Sequence, residues 1–330
     1  MDNDNLQLQL FSYLKEVIPA HLSIVDELGE LLNISPDSVY RRIRGEKELA
    51  INELKQICVR YQLSLDHLLE LSQDSVLFKA PGMNRQSGEF DDYLLDMLKE
   101  LKYFNSFEKK EMNYLCKDST LWNFYLFPEL AAFKTFFWSK TINQHPDLHL
   151  QAFSFEEFPF TECFKIGQQI LEEYNQIPSL ELWNLESMHS TINQISYYKD
   201  AGNFKTHEDF ELVLESFHNT INHLQLQTEK GFKFMPGATD ISYKAPIQFY
   251  INELILGNNT MVINLNGKSL TMVTYSVLHY LFTRNPNFSA RVLDSFHNLL
   301  SRSTLISKSA EKERNRFFNT LRQKINALRN

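Results

Sequence analysis

With 330 residues, 43% of them hydrophobic and 22% charged, the chain is long enough for two or three domains with cores of their own, which excludes disorder as the default. A formal net charge of -8 excludes a protein that coats nucleic acid regardless of sequence, because such affinity comes from neutralising phosphates with Lys and Arg; a local basic face stays open. Cys58, Cys116 and Cys163 are odd in number and far apart among apolar neighbours, so they read as reduced, buried thiols, and the acidic start Met1-Asp2-Asn3-Asp4-Asn5, with no apolar run of membrane-spanning length, predicts a cytoplasmic protein.

Leu6, Leu10, Tyr13, Leu14 and Val17 have helical spacing and predict a first helix over 6–18, ending at Pro19. A second helix over 24–32 begins after Ser23, which can cap it, and carries Asp26 and Glu27 in its first turn, where the helix dipole favours them. Asn33, one of the few residues besides glycine that accepts the left-handed conformation, marks a tight turn. Ser35 then caps a short helix, Pro36 suits its first position, and Gly45 can end it. Val39 and Ile43 form its narrow apolar seam, leaving Asp37, Ser38, Arg41, Arg42 and Arg44 to point elsewhere. Together the two helices are a helix-turn-helix. Leu49, Ile51, Leu54, Ile57, Cys58 and Tyr61 make a fourth helix, and Ser64 caps a fifth that turns Leu65, Leu68 and Leu69 inward.

Residues 23 to 70, including Ile51-Asn52-Glu53-Leu54-Lys55-Gln56-Ile57 and Tyr61-Gln62-Leu63-Ser64-Leu65, resemble the lambda-repressor-like, Xre-type DNA-binding domain. The resemblance implies a five-helix bundle whose third helix enters the major groove. It implies a recognition helix that starts at Ser35, presents Pro36, Asp37, Ser38 and Arg41 to the groove, and sets Arg42, Arg44 and Lys47 nearer the phosphates. The chain departs from the family in having Asn33 where glycine is usual and Arg42 where an apolar residue is usual, so Ile43 is expected to take over the packing. Pro36 and Asp37 also replace frequent amides. Over its full length the chain is similar to two-part regulators of the Bacteroidetes type, which implies a transcriptional role.

The expected domains are 1–72 for the helix-turn-helix unit, 73–90 for a linker with the breaker-rich Ala80-Pro81-Gly82 to Gly88, and 91–330 for a sensing or dimerising unit. Val76-Leu77-Phe78 reads as a short strand belonging to the second domain. Helices are predicted over 93–104, 127–142, 160–176, 179–200, 206–228 and 309–328, and a strand over 112–116. Segments 249–256, 260–265 and 270–275 read as a meander with turns at Gly257-Asn258-Asn259 and Asn266-Gly267. The expected fold class is therefore mainly α, a five-helix bundle followed by a larger α+β domain with a small antiparallel sheet, similar at fold level to GAF- or PAS-type sensors.

Arg41 is the expected base reader, since a bidentate guanidinium contact to guanine contributes about 1 to 3 kcal/mol of discrimination. Asp37 either accepts from cytosine, orients Arg41, or only favours the helix start. His145 with His149, and His218 with His223, lack metal-ligand spacing, so no metal and no cofactor is expected. No phosphate loop, zincin motif or nucleophile elbow argues for an enzyme. Trp122 to Tyr125 and Phe136 to Trp138 line a pocket or, more commonly, form core. The expected function is a sequence-specific regulator on double-stranded DNA, a homodimer whose second domain sets helix spacing or senses a small-molecule effector. The alternatives are a protein-interaction adaptor that uses the bundle for docking, and an enzyme in 91–330.

Overall fold

The computed structural model describes residues 6–18, 22–61, 63, 75–80, 90–158, 160–239, 245–254 and 257–329, which form two compact units divided between Leu77 and Phe78. In the first unit, α1 (Leu6–Val17) turns Leu10, Phe11 and Leu14 into a small core with Val25 and Leu28 of α2 (Ile24–Leu32), Val39 of α3 (Pro36–Ile43) and Ile57 of α4 (Ile51–Tyr61). The caps are made as the sequence demands. Ser23 accepts the Asp26 N–H and Ser35 the Ser38 N–H. Asn33 closes α2 in the left-handed conformation (φ 53°). Gly29 permits the close approach at the turn, because a Cβ there would sit 3.3 Å from the Ile34 carbonyl oxygen. The predicted fifth helix, 64–70, lies outside the described residues.

The second unit is built on a seven-stranded mixed sheet, so the fold is α+β and not the expected mainly α fold with a small antiparallel sheet, which also removes the basis of the likeness to GAF- or PAS-type sensors. Its strands are β1 (Lys110–Cys116), β2 (Ser179–Trp183), β3 (Ile247–Ile251), β4 (Thr260–Leu265), β5 (Lys268–Thr274), β6 (Tyr280–Thr283) and β7 (Thr304–Leu305), in the order β6-β5-β4-β1-β2-β3-β7. β1, β2 and β3 run parallel, so the connections between them carry helices, as parallel neighbours require. The β4-β5-β6 meander adds antiparallel on one side and β7 on the other.

Two sequence expectations fail here. The hairpin expected of 249–256 with 260–265 is not made by β3 and β4, because β1 and β2 lie between them. Ser179–Trp183, expected as the start of a helix, is the middle strand of the parallel trio. The turn at Asn266 (φ 50°) and Gly267 (φ 84°) does form, with the positive φ at both positions that this hairpin type requires.

The helices are α5 (Phe90–Asn105), α6 (Pro128–Phe137) with a π-helical turn Trp138–Ile142, α7 (Thr161–Tyr174), α8 (His189–Asp200), α9 (His207–Lys230), α10 (Pro286–Leu300) and α11 (Glu311–Asn326). Alternate residues of the parallel strands divide the faces. Met112, Tyr114, Trp183 and Phe249 enter the large core built with α5 to α9 and α11, while Leu115 and Leu182 lie under Phe296 of α10 on the other face. Trp122, Phe124, Tyr125, Phe136 and Trp138 are all buried in the large core. At the β6 edge, Lys79 exchanges both backbone hydrogen bonds with Phe282 (2.8 and 2.9 Å), and Phe78 meets Phe288 edge-on, so these two residues of the expected linker are structurally part of the second unit.

Three arginines of α11 and the turn after it are committed within their own unit. Arg314 donates to the Ile306 and Ser309 carbonyls (2.9 and 2.8 Å), Arg322 to Asn222 and Asn319, and Arg329 to Glu211 (2.9 Å). Of the roles open to a basic terminal helix, packing is the one these contacts support.

Candidate nucleic-acid interface

α3 is eight residues long and would not persist alone, so its position depends on what clamps it. One clamp is apolar, with Val39 1% exposed against Leu28. The other is ionic. Arg42 is only 4% exposed and donates from Nε and Nη2 to the two carboxylate oxygens of Glu53 on α4 (3.1 and 2.7 Å), and from Nη1 to the Ser38 carbonyl (3.0 Å). Burial acts to raise the Glu53 carboxyl, but the hydrogen bonds from Arg42 and from the Ala50 N–H (3.0 Å) outweigh it and hold the group below its ordinary value.

Arg42 therefore does not stand on the outward face that the sequence reading gave it. At a position usually apolar in the resembled family it places an aliphatic stem and a satisfied guanidinium, and Ile43 stays half-buried beside it. The remaining expected contacts face outward: Ser35, Pro36, Asp37, Arg41, Arg44 and Lys47 are exposed, and Ser38 is half-buried. Tyr40, which the charge pattern passed over, is half exposed and adjoins Arg41.

The loop after α3 is held from below by a residue with no obvious sequence signal. The Gln7 side-chain amide of α1 donates to the carbonyls of Arg42 and Lys47 (2.7 and 2.8 Å), and its oxygen accepts the Leu49 N–H (2.9 Å). Gly45 (φ 75°) turns the chain so that the Glu46 N–H reaches the Arg41 carbonyl (2.8 Å). Arg44 donates to both oxygens of Glu46 (2.7 and 3.2 Å), and Arg41 Nε lies 3.9 Å from the same carboxylate. The Arg44 hydrogen bond holds the Glu46 carboxyl below its ordinary value.

In the second unit the notable titratable groups are buried and partnered. Lys134 donates to Gln194 and Thr191 (2.6 and 3.2 Å) beneath the Phe124 and Trp138 rings, and burial lowers its value to about 7. Lys233 donates to the Ile177 carbonyl against the Tyr174 ring, and burial lowers it likewise to about 7. Glu181 accepts from Tyr174, Ser179 and Trp183. These arrangements satisfy buried polar groups in the core. Among the described residues no group of three His, Cys, Asp or Glu is placed to hold a metal ion, and no helix is long and apolar enough to cross a membrane. No family model, curated protein or solved structure matches the chain.

Proposed function

We propose that the protein is a sequence-specific regulator that binds double-stranded DNA through α3 and acts as a homodimer. The observation that carries this reading is the division of labour on α3. A buried Val39 and an ion-paired Arg42 fix the helix, while Pro36, Asp37, Tyr40, Arg41 and, after the helix, Arg44 and Lys47 are exposed. Arg41 reads a base, with Asp37 and Ser38 beside it, and Arg44 and Lys47 take phosphates. One such helix covers few base pairs, so two copies about 34 Å apart on a pseudo-palindrome give the specificity a regulator needs. The second unit sets that spacing or binds a small effector with different affinity in the two states.

Selection of bound sites from random duplex DNA with the full chain tests this. Recovery of a two-fold site whose affinity falls steeply with salt supports the reading. Retention of no duplex at low salt overturns it in favour of a docking module.

A further inference from the structure

Resting on that DNA-binding reading, we propose that Glu46 gates the site: in the free protein its carboxylate is bidentate on Arg44 and lies beside Arg41, and DNA must displace it, with a phosphate taking Arg44 and a base taking Arg41. The pairing has three features that a casual surface ion pair lacks. It is bidentate on Arg44, at 2.7 and 3.2 Å. The same carboxylate lies 3.9 Å from Arg41, so one acid serves both cations. The backbone beneath it is anchored, by the Arg41 carbonyl to the N–H groups of Glu46 and Lys47 and by Gln7 to the carbonyls of Arg42 and Lys47. All three charged side chains are about half exposed, so an incoming ligand can reach them.

A phosphate presents two oxygens to the guanidinium fork much as a carboxylate does, and the two anions compete for the same donors. A Glu46 that stayed in place would also repel the phosphate. Contact with backbone alone is therefore discounted, and only a duplex that also gives Arg41 a base to read recovers the loss. The gate works in the same direction as the net charge of -8, against indiscriminate binding.

The test uses the full chain, a duplex selected from random DNA and a scrambled duplex, titrated over a salt series. Glu46→Gln keeps an oxygen for Arg44 and removes the charge; Glu48→Gln, at an exposed carboxylate two residues on, controls for net charge. Glu46→Gln is expected to bind the scrambled duplex roughly three- to tenfold more tightly at low salt, to steepen the log–log salt slope by about one, and to reduce the preference for the selected site. Unchanged affinity and slope in Glu46→Gln, or an equal gain in Glu48→Gln, overturns the gate while leaving DNA binding intact. Absence of duplex binding by both wild type and Glu46→Gln removes the DNA-binding reading, and the gate with it.

Discussion

At the scale of single residues, the proposed interface assigns some side chains to DNA contact and others to positioning them. Arg41→Ala is expected to flatten the preference for one base pair, losing about 1 to 3 kcal/mol of discrimination, whereas Lys47→Ala weakens all duplexes alike and lowers the salt slope by about one. Competition binding across single-substitution duplexes distinguishes the two; identical profiles would remove the groove assignment. Arg42 and Glu53 make an asymmetric pair, since Arg42 is 4% and Glu53 20% exposed at the side chain. Glu53→Ala strands a buried guanidinium and should cost the first unit about 3 kcal/mol, while Arg42→Met restores the apolar character usual in the resembled family and should stay within about 1 kcal/mol. Hydrogen exchange at the Val39 and Ile57 amides in the full chain reads this difference, and equal losses would show that the pair is not buried as described.

At the scale of elements, α2, α3 and the Asn266-Gly267 hairpin follow from local chemistry: caps, a proline at the first position, and residues that tolerate positive φ. α7 illustrates the opposite case. Gly167 reads as an ordinary weak point in a helix, yet a Cβ there would fall 2.0 Å from the Tyr125 ring, so the glycine lets α7 lie against the segment Leu121–Tyr125. Gly167→Ala should destabilise the second unit by about 3 kcal/mol through overpacking, although alanine is the better helix former. All three tryptophans, Trp122, Trp138 and Trp183, belong to this unit, so urea unfolding followed by tryptophan fluorescence reports on it; a stabilised variant would contradict the contact.

At the scale of the whole molecule, two buried lysines shape the response to pH. Lys134 and Lys233 titrate near 7 when folded and near 10.5 when unfolded, so between those values the unfolded chain binds more protons and stability rises with pH. Each contributes up to about 1.4 kcal/mol per pH unit. Burial raises the Cys116 and Cys163 thiols, so above about pH 9 the unfolded chain loses those protons first and the gain is cancelled. Tyr114, Tyr125 and Tyr174 are raised in the same way, and stability falls above about pH 10. The second unit should thus unfold at higher urea at pH 9 than at pH 7, and in Lys134→Met the rise should be smaller. A midpoint flat across that range would mean that these ammonium groups are solvated.

The sequence by itself determined the two capped helices with their turn and left Asp37, Arg41 and Arg44 off the apolar seam, because caps, turns and a narrow seam act over four or five residues and leave their mark in the order of the chain. Only the tertiary structure decided that Arg42 is turned inward to Glu53, that Gln7 supports the loop from below, and that Glu46 pairs with Arg44 and lies 3.9 Å from Arg41, since each depends on a partner or a turn that a helical wheel does not represent. The same holds for the sheet. β3 and β4 are neighbours in the chain and separated by two strands in space, because β1 and β2 insert between them, and strand order is chosen by burial of both faces rather than by proximity in sequence.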